Sequence, residues 1–177
     1  MKILKSDEGV LLCMDLFILR HGKAQTSSDG TADAARVLTR KGKEGVKKVA
    51  QWMKGNKIRF DVIATSPLKR AQGTAKIVAA VLDQKDRLIV WDELAPGGDL
   101  DMVCYHALGY GEHATVLVIG HEPGLSMLFS KIIGDNRNGS ISLAKAGLAK
   151  IQNYSYTKLP SGDLQWLFPP KDVRDKR

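Results

Sequence analysis

The chain has 177 residues, of which 44% are hydrophobic and 6% aromatic, a composition that favours one globular domain with a largely aliphatic core. It excludes fibrous and intrinsically disordered classes, and no apolar run reaches the length of a membrane span. With 27 Lys and Arg against 19 Asp and Glu, the formal net charge is +8, which favours anionic partners: nucleic acid, membrane surfaces, acidic proteins or phosphorylated ligands.

The limits of the domain are predicted from the two ends of the chain. Residues 1–13 are expected to be an N-terminal extension, because the first clear strand pattern follows them and they lack the features of a signal peptide. Residues 14–170 are predicted to form a single domain, and 171–177 a basic, frayed tail. Cys13 and Cys104 match no disulfide or metal spacing and are typical of a reducing compartment, which predicts a cytoplasmic protein.

The first half of the chain alternates between strand-length apolar runs and helical patterns. Residues 15–19 predict a buried strand, and Thr39 is a suitable N-cap for a helix that runs to about Lys54. Residues 61–65 predict a second strand, after which Ser66-Pro67 predicts an N-cap with proline in the first helical position. The buried stripe of this second helix is predicted to contain Ala71, Ala75, Val78 and Leu82.

The middle of the chain continues the same alternation. Residues 88–91 predict a short third strand, and the turn 96–99 leads into a helix over 100–108. Residues 115–119 have the clearest pattern of a central strand, and Pro123 stands where another helix begins.

The last third completes the predicted architecture. Gly134 ends the preceding helix, and residues 148–154 and 164–168 predict two antiparallel strands joined by a turn at 160–163. Repeated alternation of strands and helices is typical of an α/β protein. We therefore predict a three-layer α/β/α sandwich with a mostly parallel central sheet.

The most informative residues follow the predicted strands. In such sheets ligands bind beyond the carboxyl ends of the strands. Arg20, His21 and Gly22 follow the first strand, Arg70 comes after the second, and His121 follows the fourth. Two guanidinium groups and two imidazoles are therefore expected to meet at one edge and to form an anion pocket. A single histidine after a strand is more often a packing residue, so the prediction depends on this convergence.

These residue types suit phosphate transfer. Arg20 and Arg70 each offer paired donors to phosphoryl oxygens, and Arg70 lies in the first turn of its helix, where the dipole favours an anion. Gly22 allows the backbone to approach a ligand. A neutral His21 can attack phosphorus, while His121, if protonated, neutralises charge during transfer. We predict His21, His121, Arg20 and Arg70 as catalytic, Arg20, Gly22, Arg70 and His121 as substrate-binding, and no metal or cofactor.

Other polar residues have two open interpretations. Glu93 follows the third strand as either an acid–base group or an exposed strand-end residue. Lys23 is near the pocket as either a solvated or a binding residue. His106 and His113 match no zinc spacing and are interpreted as surface or structural residues. The polar stretch 25–36 predicts a loop that borders a site.

Four motifs occur in order along the chain: Leu19-Arg20-His21-Gly22, Leu38-Thr39-x-x-Gly42, Ser66-Pro67-Leu68-x-Arg70-Ala71-x-x-Thr74-Ala75 and Gly120-His121-Glu122-Pro123. Together they resemble the histidine phosphatase superfamily, with its phosphoglycerate mutase-like fold, and within it the short SixA-type phosphohistidine phosphatases. The resemblance runs from about residue 15 to residue 169. It implies that His21 becomes transiently phosphorylated while Arg20, Arg70 and His121 hold the phosphoryl group.

The sequence departs from the wider superfamily in one respect. Mutases and many phosphomonoesterases of the superfamily carry a glutamate after the third strand as general acid, whereas Ala95-Pro96 stands at the corresponding place here and Glu93 is out of register. An alkoxide leaving group needs that proton, while an imidazole leaving group is far less demanding. The departure therefore favours phosphohistidine over alkyl phosphates.

The favoured hypothesis is a metal-independent phosphatase that removes phosphate from phosphohistidine in a signalling protein. Its expected partner is a phosphorylated protein of the histidine phosphotransfer type, or a phosphorylated small molecule, with no nucleic acid and no membrane. The alternatives are a broad small-molecule phosphomonoesterase of the same superfamily, a mutase that would need the missing acid, and a non-enzymatic basic binding protein. The last alternative leaves the placement of His21 and His121 unexplained.

Overall fold

The fold is seen in a computed structural model, which describes residues 14–26, 32–134, 141–156 and 159–168. The extension at 1–13 and the tail at 171–177 lie outside the described residues, so both stay predictions.

Strands and helices alternate along the described chain. The elements are β1 (Met14–Arg20), α1 (Arg40–Gly55), β2 (Val62–Thr65), α2 (Lys69–Leu82), β3 (Leu88–Val90), α3 (Leu100–Leu108), β4 (Thr115–Gly120), α4 (Gly124–Ile133), β5 (Leu148–Tyr156) and β6 (Pro160–Phe168). Short 3-10 helices span Asp33–Ala35, Lys85–Arg87 and Asp92–Leu94.

The strands form one sheet in the order β3-β2-β4-β1-β5-β6. Neighbours from β3 to β1 are parallel, and β5 and β6 are antiparallel to the strands beside them. Two hydrophobic clusters cover the sheet, one with side chains of α1 and α2 and the other with side chains of α3 and α4. The three-layer sandwich with a mostly parallel sheet is therefore confirmed.

Helix α1 begins as its sequence predicts. Thr39 is its N-cap, since the Oγ1 atom of Thr39 accepts a hydrogen bond of 3.0 Å from the backbone nitrogen of Gly42. Gly42 also allows a close approach, because a Cβ atom there would lie 2.0 Å from the carbonyl oxygen of Lys23. The first turn of α1 is thus packed directly against the segment that follows β1.

Two predicted boundaries are wrong. Helix α2 begins at Lys69 with Leu68 as N-cap, two residues after the predicted cap at Ser66, whose hydroxyl contacts His121 at the pocket as well as the Leu68 nitrogen. Residues 160–163, predicted as a turn, lie within β6, where they pair with β5. The stripe of α2 is confirmed as buried: Ala71, Ala75, Val78 and Leu82.

Among the helices described, none has both the length and the apolar character needed to cross a membrane.

Candidate active site

The parallel sheet brings the predicted residues to one edge. Strands β1 and β4 are neighbours, with Arg20 opposite Gly120 in their register, so His21 and His121 emerge side by side. Their ring centroids are 4.9 Å apart. Strand β2 pairs with the other side of β4 and delivers Ser66, followed by Arg70 in the first turn of α2. The predicted convergence of two imidazoles and two guanidinium groups is present in the structure.

The orientation of His21 is set by its own backbone neighbour. Its Nδ1 atom lies 2.7 Å from the carbonyl oxygen of Gly22. A carbonyl oxygen can only accept, so Nδ1 must carry the proton and Nε2 keeps its lone pair. The sequence left open which nitrogen would be available, and this contact leaves Nε2 free to act as a base or nucleophile.

The protonation state of His21 follows from its surroundings. The residue is only 7% exposed. The pKa of His21 is lowered from 6.5 to about 4, mainly by burial and also by the positive charges of Arg70, Arg20 and Lys145, with the Gly22 carbonyl acting in the opposite direction. The imidazole is therefore neutral near pH 7, as nucleophilic attack requires.

His121 has a different set of partners. Its Nε2 atom lies 2.8 Å from the hydroxyl oxygen of Ser66, and its Nδ1 atom is buried with no hydrogen-bond partner among the described residues. The Ser66 oxygen also accepts from the Leu68 nitrogen at 3.3 Å. When the Ser66 hydroxyl donates to His121 Nε2, the proton of His121 lies on Nδ1. This orphan N–H is a donor that a bound anion would satisfy.

The protonation state of His121 decides whether it adds positive charge to the pocket, because only a protonated ring was predicted to neutralise charge during transfer. The pKa of His121 is lowered from 6.5 to about 3, mainly by burial and also by His21 and Arg70, so the ring is neutral in the ligand-free pocket. A phosphoryl dianion bound beside it would act in the opposite direction and raise this pKa.

Arg70 is held by a carboxylate from the predicted loop. The residue is 5% exposed, and its Nη1 and Nη2 atoms donate to the backbone oxygen of Asp33 at 2.7 Å and to Asp33 Oδ2 at 2.8 Å. The hydrogen bond from Arg70 holds the pKa of Asp33 below its usual range. Asp33 thus occupies the guanidinium donors of Arg70, and a bound phosphoryl group would compete with Asp33 for them.

Arg20 is anchored from the other side of the pocket. Its Nη1 atom donates to the carbonyl oxygen of Leu143 at 2.7 Å, while its Nε atom is buried without a partner among the described residues. Arg20 therefore has one fixed contact and one unsatisfied donor. Buried unsatisfied donors are uncommon in folded proteins and are a mark of binding sites.

Gly22 makes room for helix α1, a reason for glycine at this position that the sequence did not predict. A Cβ atom there would lie 2.7 Å from Val46 Cγ2 and 2.9 Å from the Gly42 oxygen, so the glycine makes room for α1. Its backbone N–H donates to Thr74 Oγ1 at 3.1 Å, and Thr74 in turn donates to the Arg70 oxygen. Gly22 therefore supports the pocket by orienting His21, and the predicted approach of its backbone to a ligand stays a prediction.

The structure shows the surroundings of the polar residues whose roles the sequence left open. Glu93 faces His106, with 3.9 Å between Glu93 Oε2 and His106 Nδ1, and the His106 ring packs against Trp91. Lys23 and His113 are exposed. The described part of the loop 25–36 does border the site, through Asp33.

Three residues that contact or influence the pocket were not predicted. Asp33 and Lys145 act on Arg70 and His21 respectively, and Glu122 holds the segment that carries Leu143. Glu122 was visible within the Gly120–Pro123 motif, but neither Asp33 nor Lys145 has a local pattern that marks it. Their roles depend on contacts between distant parts of the chain.

Chemically, the pocket combines a neutral imidazole with an available Nε2, a second imidazole with an unpartnered Nδ1 atom, and two guanidinium groups. Such a set can bind a phosphoryl group, accept it on nitrogen and neutralise its charge during transfer.

Comparison with known proteins agrees with this chemistry. The model of the histidine phosphatase superfamily, branch 1, matches residues 16–96. The phosphohistidine phosphatase SixA of Escherichia coli strain K12 is 35% identical over 121 residues, which cover 67% of this chain and 74% of that protein.

Solved structures extend the comparison to the fold. The protein histidine phosphatase SixA complexed with tungstate has a TM-score of 0.78 and 27% identity, covering 91% of this chain and 100% of that one. A phosphoglycerate mutase from Plasmodium falciparum, at 17% identity, shares the fold with a TM-score of 0.64, covering 87% of this chain and 89% of its own. The chain therefore belongs to the histidine phosphatase superfamily and is a phosphatase with a phosphoglycerate mutase-like fold, similar to SixA.

Proposed function

We propose that this protein hydrolyses phosphohistidine in a signalling partner protein and that His21 carries the phosphoryl group in transit. The observation that carries the proposal is a neutral His21, with Nδ1 held by the Gly22 carbonyl and Nε2 available, beside the unpaired Nδ1–H of His121. The substrate class is supported by the 35% identity to the Escherichia coli phosphohistidine phosphatase.

The reaction takes two displacements at phosphorus. His21 Nε2 attacks, a nitrogen–phosphorus bond forms on His21, and the bond to the partner's ring breaks. The partner's ring leaves as neutral imidazole when its second nitrogen carries a proton taken from solvent, and the water that attacks in the second step returns a proton to solvent. Water then attacks the phosphorus on His21, releasing inorganic phosphate and restoring the free imidazole. Arg20 Nε, Arg70 and His121 Nδ1 donate to the phosphoryl oxygens in both steps, which supplies positive charge without a metal ion.

The surroundings of the pocket favour a leaving group that needs little protonation. Glu93 is directed at His106, and Asp33 has a lowered pKa, so it is ionised at neutral pH and has no proton to give. A leaving imidazole has a conjugate acid of pKa about 6.5, against about 15.7 for water, which stands for an alkoxide leaving group. Phosphohistidine is therefore a better match than an alkyl phosphate to the described carboxylates.

The partner in this proposal is a protein of the histidine phosphotransfer type, whose phosphorylated side chain reaches the pocket at the carboxyl ends of β1 and β4. A cytoplasmic location is part of the same proposal. The buried thiol of Cys104 is compatible with a reducing compartment.

A competition among substrates tests the proposal. Purified protein is assayed side by side on a histidine phosphotransfer domain phosphorylated on histidine, on phosphoserine and on a sugar phosphate, with His21→Ala as the control for contaminating phosphatases. We expect the highest kcat/KM with the phosphohistidine protein. Faster hydrolysis of the sugar phosphate would overturn the substrate class, while activity that survives in His21→Ala would overturn the mechanism.

A further inference from the structure

We propose that Glu122 is a positioning residue that sets the oxyanion affinity of the pocket by holding the segment 143–147 against Arg20. The inference rests on the proposed function only in taking Arg20 as a phosphoryl-binding residue. Glu122 lies next to His121 in the chain, two residues before α4, and is half-buried.

The carboxylate of Glu122 joins two parts of the fold. Its Oε2 atom accepts from the backbone nitrogen and the hydroxyl of Ser126 in α4, at 3.1 and 2.5 Å. Its Oε1 atom accepts from the backbone nitrogen of Leu143 at 2.8 Å. A carboxylate is an acceptor for several donors at once, so this side chain fixes Leu143 relative to α4.

Leu143 transmits that position to the pocket. Its carbonyl oxygen accepts the 2.7 Å hydrogen bond from Arg20 Nη1. The guanidinium is planar, so a fixed acceptor at Nη1 also determines the direction of the buried, unpaired Nε–H. The chain of contacts from Glu122 through Leu143 therefore controls the orientation of the Arg20 donor offered to phosphate.

The same segment returns to the end of β1 with further contacts. The backbone nitrogen of Ala146 lies 3.1 Å from the Arg20 oxygen and 3.2 Å from the His21 oxygen, and the Arg20 nitrogen donates to Gly147 at 3.0 Å. Lys145, which precedes Ala146 in the same segment, contributes positive charge at His21. Loosening the segment at Leu143 would therefore disturb the cations around the nucleophile.

If Glu122 acted only through its charge, its substitution would change phosphate affinity in the opposite direction from that expected if it positions Arg20. Removing a negative charge near an anion pocket would, through space alone, tighten phosphate binding. Loss of the hydrogen bond to Leu143 would instead leave the Arg20 donor misdirected and weaken binding. The sign of the change in affinity therefore separates the two explanations.

The test measures the dissociation constant of inorganic phosphate by titration for wild type, Glu122→Ala and Glu122→Gln. We expect about tenfold weaker binding for Glu122→Ala, the order expected for losing one well-placed hydrogen bond to a charged group. Glu122→Gln keeps the size of the side chain and presents an amide donor to one of its two anchor points, so weaker binding is expected again. Unchanged or tighter binding in both variants would overturn the proposal.

A double-mutant cycle with Arg20 isolates the route of the effect. If Glu122 acts through Arg20, the double variant Arg20→Ala, Glu122→Ala should bind phosphate as weakly as Arg20→Ala alone, within about twofold. Losses that multiply would overturn this route.

A matched control separates positioning from loss of stability. The carboxylate of Asp61 accepts from the backbone nitrogen of Thr115 at 2.8 Å, at the opposite end of β4 from His121. Asp61→Ala should lower the melting temperature and leave phosphate affinity within about twofold of wild type. An equal loss of affinity in Asp61→Ala would mean that Glu122 has only a structural role. Because the readout is phosphate binding, it is independent of whether the physiological substrate is phosphohistidine.

Discussion

The adjacent ends of β1 and β4 carry two buried histidines that differ in their hydrogen-bond partners. His21 contacts the carbonyl of Gly22, which can only accept. His121 contacts the hydroxyl of Ser66, which can donate or accept. Both rings are buried and neutral, so burial does not distinguish the chemistry of the two histidines. The hydrogen-bond partner of each ring distinguishes them.

The difference assigns complementary roles within the proposed mechanism. A carbonyl partner keeps the proton on Nδ1 of His21 and the lone pair on Nε2, as a nucleophile requires. A hydroxyl that donates to His121 Nε2 leaves Nδ1–H of His121 without a partner and able to donate to a phosphoryl oxygen. Two residues of the same type, 4.9 Å apart, can therefore act as nucleophile and donor.

The largest expected effect comes from removing the nucleophile. His21→Ala should lower kcat at least about 10³-fold, because no other neutral imidazole has the same orientation. Acid-labile phosphate should accumulate on His21 in wild type after rapid quenching and be absent from the variant. Label found on His121 in wild type would reverse the assigned roles.

Removing the donor should cost less. His121→Ala is expected to lower kcat by about 10²-fold, the order found for loss of one donor that stabilises developing negative charge. In this variant His21 should still become labelled, only more slowly, when followed by rapid-quench experiments. A variant that no longer labels at all would contradict the division of roles.

Titration by NMR sharpens the comparison without any substrate. The Cε1–H resonances of His21 and His121 should titrate near pH 4 and pH 3, well below the ordinary value of 6.5, because burial disfavours the charged ring. Saturating phosphate should move both pKa values upward, since a bound anion favours the protonated rings. Consequently kcat/KM should stay level between pH 7 and 5 with respect to His21 ionisation and fall as the pH approaches 4. A midpoint near 6.5 for either ring would show that it is exposed to water.

A smaller loss of activity is expected when Ser66, the hydrogen-bond partner of His121, is replaced. Ser66→Ala removes the hydroxyl that donates to Nε2 of His121, and kcat should fall up to about tenfold, as for loss of one net hydrogen bond. The matched control is Ser161→Ala in the edge strand β6, which should have full activity. If both serine variants behave alike, the hydroxyl does not select the tautomer of His121.

The smallest loss of activity is expected from removing an exposed positive charge, that of Lys145, which acts on His21. Lys145→Ala should lower kcat/KM a few-fold at low ionic strength, because its exposed ammonium group contributes long-range attraction for an anionic substrate. The difference should disappear at about 1 M salt, where the Debye length is about 3 Å. Lys47→Ala, on the exposed face of α1, serves as control and should change neither value.

Much of this site could be predicted from strand ends. Arg20, His21, Arg70 and His121 each follow a recognisable strand, and parallel pairing brings such residues together whatever the details of packing. Boundaries were less accurate where a tertiary contact competes with a local preference. Ser66 resembles an N-cap, yet its hydroxyl bonds His121, and α2 begins at Lys69. Likewise, residues 160–163 have turn-forming side chains, but pairing with β5 makes them part of β6.

Other features had no local signal. Asp33 reaches Arg70 across 37 positions, and Leu143 reaches Arg20 across 123. The absence of a side chain at Gly22 also makes room for α1, which the sequence did not predict. Each of these contacts depends on which distant segments the folded chain brings together.

The sequence by itself determined the alternation of strands and helices and the identity of the groups at the strand ends, because hydrophobic periodicity and turn residues are local properties. Only the tertiary structure decided which nitrogen of each histidine carries the proton, how far burial lowers each pKa, and which carbonyls and carboxylates orient the arginines. Those properties are collective, since they depend on the burial and partners that packing of remote segments creates.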